Sequence, residues 1–201
     1  MISFGESSQE FTQKFVTMLI LKAFSTQKQE HLSIRQNSLN YLAGLIAAQA
    51  GPVLIKGEFL VKIINLQFRY FMKKEYFDAK VFDLCFLQSL ALQFSHRAED
   101  IERESPELFA TIIKTLFVEG RKSLPFVYGT VLRSLADLCR SRQSLSGFVF
   151  VIEQAQKLQE EKVLSHHKLV FDRISKNFPF QAMYYIYPDI EYPQLPKPIK
   201  R

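Results

Sequence analysis

Apolar residues recur along this chain at helical spacing and almost nowhere in the strict alternation of a half-buried strand. The first helix is predicted to open at Ser7 and Ser8 and to bury Phe11, Phe15, Met18 and Leu19, fading near Ser25 into a polar connection over residues 25–30. The second holds the most informative run, residues 33–48. There Ser33 takes the N-cap position, Ile34, Tyr41, Leu42, Leu45 and Ile46 fall on one stripe, and Ala43, Gly44, Ala47 and Ala48 form a thin flank for a close neighbour. Gly51 and Pro52 end it. A third helix begins after Gly57 with Leu60, Ile63, Ile64, Phe68 and Phe71 as its apolar face. A fourth starts near Asp78 and carries Val81, Phe82, Cys85 and Leu92 towards Phe94, and the acidic stretch 99–104 reads as a loop.

Ser105, Pro106 and Glu107 form a strong helix start: an N-cap hydroxyl, a proline at the first helical position and an acid in the first turn. This fifth helix is expected to stop at Gly120. Pro125 opens a sixth, with Val131, Leu132, Leu135 and Leu138 apolar, and a seventh runs from Ser144 or Ser146 to Glu161 with Phe148, Ile152 and Ala155 inward. Taken alone, residues 148–152 would pass for a strand, but the polar continuation favours a helix. A short eighth helix covers residues 163–174. From Phe178 onward, Pro179, Pro188, Pro193, Pro196 and Pro198 exclude a continuous helix, while Tyr184, Tyr185, Ile186, Tyr187 and Tyr192 keep the segment apolar. The expected architecture is all-α. About seven or eight helices pair into a HEAT/armadillo-like superhelix with a period of about 40 residues, although no strict sequence repeat is present. It divides into a helical domain, residues 1–177, and an extended Pro/Tyr-rich C-terminal tail, residues 178–201, lying along it with the last residues free.

Composition sharpens this picture in two places. The 201 residues include 19 Phe, no Trp and only 7 Gly, which suits helices interdigitating through bulky side chains. The net charge of +6 permits contact with nucleic acid or an acidic protein without requiring either. Cys85 and Cys139 lie in apolar helical runs, outside any CxxC pattern, and read as buried reduced thiols of a cytosolic or nuclear protein. The first ten residues lack the basic and apolar regions of a secretion signal, and no run of about 18 apolar residues suggests a membrane span.

The run Ile34-Arg35-Gln36, then Asn40-Tyr41 and the small residues to Ala48, with Pro52-Val53-Leu54 after it, resembles the RNA polymerase I-specific transcription initiation factors of the TIF-IA (Rrn-three) type. Two further blocks follow in the family's order. One is Lys122-Ser123-Leu124-Pro125 with Val131, Leu135 and residues 148–153; the other is Asn177-Phe178-Pro179-Phe180 with Tyr184 and residues 190–192, similar to the family's Phe-Phe-Pro-Phe-Asp-Pro-Tyr ending. The resemblance implies the C-terminal portion of an all-helical HEAT-type protein without enzymatic activity or cofactors. It would bridge RNA polymerase I subunits to promoter-bound initiation factors in the nucleus and nucleolus. The family carries two basic residues where this chain has residues 46–50, which contain none, and an acid where this chain has Gln181.

Candidate contact residues come from two places. Lys62, Arg69 and Lys73 share one face of the third helix, with Lys74 beside them, as a basic stripe for an acidic partner or a phosphate backbone. A solvated helix face is the plainer explanation. Phe178, Phe180 and Tyr184, with Tyr185 and Tyr187, are either an exposed anchor for another protein or a cap that closes the superhelix. Arg35, at an unfavourable place for a cation in a first turn, is expected to find a carboxylate and to bridge neighbouring helices. His166 and His167 are adjacent, about 100° apart on a helix, and cannot easily share a metal. Ser33, Ser105, Ser144 and Ser165 read as N-caps, with phosphorylation the other possibility at such positions. No phosphate loop, nucleophile elbow or metal signature is present, so an enzyme is not expected. Two other classes stay open: a generic HEAT adaptor in ribosome assembly or transport, and a basic helical nucleic-acid-binding domain.

Overall fold

The computed structural model describes residues 4–25, 32–47, 55–73 and 79–160, and seven α-helices are present among them. Helix α1, Phe4–Ala23, buries Thr12, Val16, Leu19, Ile20 and Ala23. This arc is rotated from the expected one. Phe11 and Met18 are exposed, at 68% and 46%, and Phe15 is half-buried and stacked on Phe11. Apolar residues occupy both arcs of α1, and the arc bearing Val16, Ile20 and Ala23 is the one that admits α2 closely. Helix α2, Leu32–Ala47, starts one residue before Ser33, which is therefore inside the first turn and not its cap. It lies between α1 and α4, so burial extends well beyond one stripe. Leu39, Leu42, Ala43, Ile46 and Ala47 are buried together with Arg35, Gln36, Ser38 and Asn40, whereas Ile34 and Tyr41, expected inside, are exposed.

Helix α3, Gly57–Lys73, opens at a glycine with φ +54°, a left-handed conformation that L side chains resist. Its face of Leu60, Ile63 and Ile64 is buried and Phe68 and Phe71 are half-buried, as the spacing predicts. Helix α4, Ala79–Glu104, is the hub, packing against α2, α3, α5 and α6. It is accordingly buried on nearly every side over residues 85–94. The acidic stretch expected as a loop is instead its last turns. The non-helical Arg97, φ −128° and ψ 17°, kinks the helix, and ion pairs to Asp100 and Glu102 hold the acids in place.

Helix α5, Pro106–Ile113, begins as its sequence dictates: the Ser105 hydroxyl accepts a hydrogen bond from the Leu108 N–H. It runs on as a π-helical stretch, Lys114–Glu119, and Gly120 closes it by donating its N–H to the Thr115 carbonyl. A Cβ on Gly120 would stand 2.6 Å from the Thr115 carbonyl oxygen and 2.7 Å from a Leu87 methyl, so glycine lets this turn sit against α4. Pro125 does not open the next helix. It lies in a short 3-10 turn, Leu124–Phe126, whose neighbouring carbonyls at Pro125 and Val127 are taken by the Gln159 amide at 2.7 and 2.6 Å. Helix α6, Gly129–Ser141, then buries Val131, Leu132, Leu135 and Cys139 and half-buries Leu138. The seventh predicted helix is split into a 3-10 turn, Gln143–Phe148, and α7, Val149–Glu160, which packs on α6 with Ile152 and Ala155 buried. The predicted eighth helix and the tail 178–201 lie outside the described residues.

One continuous apolar core threads all seven helices. Phenylalanine does much of the joining. Phe24, at the end of α1, stacks on Tyr70 of α3 and meets Phe82 and Phe86 of α4 edge-on, while Phe71 stacks on Phe86 at 4.1 Å.

Candidate functional site

The basic stripe predicted on the third helix is a continuous exposed ridge. Lys62, Arg69 and Lys73 of α3 are all exposed, on the side opposite Leu60, Ile63, Ile64 and Gln67. Helical rise sets them roughly 10 and 6 Å apart along the axis. Lys62 pairs with Glu58 at 3.3 Å, an i,i+4 contact between well-hydrated groups that is worth little and is readily exchanged. The Lys73 ammonium lies 6.0 Å from the Tyr70 ring centre. Neither Arg69 nor Lys73 has a carboxylate partner among the described residues. Lys74 of the basic stripe lies outside the described residues, as do the tail candidates Phe178, Phe180 and Tyr184.

Two apolar residues that the charge pattern alone passes over belong to the same surface. Leu66 is 39% exposed and Met72 69% exposed. Leu66 stands four residues after Lys62 and three before Arg69, so the helical spacing already placed it among the cations. Attention to Lys and Arg alone misses it.

The ridge is held in orientation from beneath. Gln67, on the buried face of α3, exchanges two amide hydrogen bonds with Gln93 of α4, both 2.9 Å. Gln93 donates also to Ser89 Oγ, and that hydroxyl donates to the Leu39 carbonyl of α2. One turn further along α4, Arg97 is only 2% exposed. Its guanidinium donates to the Ile46 carbonyl near the end of α2 at 3.2 Å, to the Ile55 carbonyl before α3 at 2.7 Å, and to Asp100 Oδ2 at 2.7 Å. This buried polar seam ties α2, α3 and α4 together and fixes how α3 is rotated. Burial pushes the Asp100 carboxyl up, but hydrogen bonds and charge from Arg97 and Arg103 outweigh it and hold the group below the usual carboxylate range.

Arg35 has the bridging role expected of it. Its Nε donates to the Ala23 carbonyl at the end of α1, 3.2 Å away, and its guanidinium lies 4.7 Å from the centre of the Phe82 ring of α4. Cys85 beneath it is pushed up to about 12 by burial, against a hydrogen bond from Gln36, and burial pushes Cys139 up to about 11, against the nearby charge of Arg140. Both are thiols at neutral pH, not thiolate nucleophiles.

No known protein family, curated protein or solved structure matches this chain. Among the described residues no three His, Cys, Asp or Glu side chains are placed to hold a metal ion, and no helix is long and apolar enough to cross a membrane. What the α3 surface offers is a row of positive charges with Leu66 among them and Met72 at its edge.

Proposed function

We propose that this chain is a non-enzymatic helical scaffold of the TIF-IA type, bridging RNA polymerase I to promoter-bound initiation factors in the nucleolus. The observation that carries the reading is the exposed cationic ridge of α3, held rigid by a polar seam that begins in α2. Helix α2 is the helix whose sequence resembles that family. Arg35 and Gln36 of the resembling run are buried at the junction of α1, α2 and α4, so what the run contributes is packing. A shared packing rule supports a shared fold, and the ridge supplies the contact surface. The HEAT-like superhelix is part of the same proposal: α1 packs on α2, α3 on α4, α4 on α5 and α6 on α7, and α2, α4 and α6 also pack in a row.

The test is capture of polymerase I subunits from nuclear extract by the tagged full chain. The triple substitution Lys62→Glu, Arg69→Glu, Lys73→Glu is expected to abolish capture while far-ultraviolet circular dichroism is unchanged, because all three side chains are exposed. Equal capture by the wild-type and substituted chains would remove the ridge, and with it this reading. Capture of ribosome-assembly or transport proteins without polymerase would favour the generic adaptor.

A further inference from the structure

We infer that the partner of the α3 ridge is an amphipathic helix with carboxylates beside apolar residues, and not a phosphate backbone; this rests on the reading of the ridge as the contact surface. Residues 62, 66, 69 and 73 follow the spacing i, i+4, i+7, i+11, the single-file seam along which one helix lies on another. The seam spans roughly 16 Å, about three turns of a partner helix. Three of its four positions are cations, and the fourth is Leu66, with Met72 on its border. Phosphates reward cations alone and gain nothing from Leu66 and Met72. A helix carrying acids at matching intervals neutralises Lys62, Arg69 and Lys73 and also takes Leu66 out of water. The ridge is prepared for this. The Gln67–Gln93 pair fixes its rotation, so little ordering remains to be done on binding. Glu58 stands at the seam's edge and occupies Lys62, so it competes with an acidic partner and repels it.

The experiment titrates the full chain into fluorescein-labelled 18-residue helical peptides and reads anisotropy. One peptide carries Glu at i, i+4 and i+11 with Leu between them, a second has Ser in place of each Leu, and a 20-base-pair DNA duplex is the third probe. The Leu peptide is expected to bind about ten-fold tighter than the Ser peptide. Leu66→Ser weakens the Leu peptide about five-fold, Glu58→Gln tightens it about two-fold, and the triple charge reversal abolishes it. Equal binding of the two peptides, no peptide binding, or indifference to Leu66→Ser overturns the inference. So does a duplex that binds more tightly than the Leu peptide, with affinity falling against salt at a log–log slope of about −3, the signature of three phosphate contacts. Failure of the peptide arm while polymerase capture still depends on Lys62, Arg69 and Lys73 overturns this inference alone. Capture that ignores those residues overturns the proposal beneath it.

Discussion

Arg97 shows how one side chain can set the relation of three helices. Its guanidinium is nearly inaccessible and satisfies two main-chain carbonyls and a carboxylate at once, a fork geometry that an ammonium cannot reproduce. Arg97→Ala leaves the carbonyls of Ile46 and Ile55 buried and unmet, and is expected to cost about 3 kcal/mol in urea unfolding. Arg97→Lys should recover only part of it. Titration gives a second test at this scale. Burial holds His96 below its ordinary 6.5, so the folded state disfavours the extra proton. Its contribution to stability is complete above pH 6.5 and is lost as pH falls through the lower folded value. Asp100 follows in a more acidic window: its contribution is complete above the ordinary 3.8 and disappears as pH falls through its depressed folded value. Urea midpoints between pH 8 and 4 should therefore decline below 6.5, and His96→Gln should remove that decline.

The helices are set by different signals, and α3 and α4 differ most. Helix α3 is amphipathic, so its spacing alone gives its buried face, and Gly57 marks its start. Helix α4 is enclosed by four others and carries polar groups inward, where they must find one another. The Gln67–Gln93 pair is the clearest case, because the two amides each donate to and accept from the other. Gln67→Leu or Gln93→Leu alone is expected to cost about 1–3 kcal/mol by stranding the remaining amide, while the double substitution should lie much closer to wild type. A double-mutant cycle from denaturation midpoints measures this. Additive losses would mean that the pair contributes no coupling between α3 and α4.

The continuous core predicts cooperative unfolding of the whole molecule. Cys85 lies beside α2 and Cys139 on α6, at separate places along the core. Both thiols should become reactive to alkylation at the same urea concentration, coincident with loss of helical dichroism; an earlier release of Cys139 would mean that α6 and α7 unfold as a unit of their own. The sequence by itself determined the all-helical class, the starts of α3, α4 and α5, the Ser105 cap, the Gly120 stop and the cationic row of α3, because periodicity, capping and charge are local quantities. Only the tertiary structure decided which arc of α1 faces inward, since Phe11, Met18, Val16 and Ile20 are all apolar and the neighbours choose between them. It also decided that the acids at 99–104 extend a helix: Glu102 pairs with Arg142, which follows α6, and Arg97 is held by the carbonyls of Ile46 and Ile55. The polar seam was hidden for the same reason. Gln67, Gln93 and Arg97 look like ordinary surface residues until another helix lies over them, and a buried polar group is defined by what covers it.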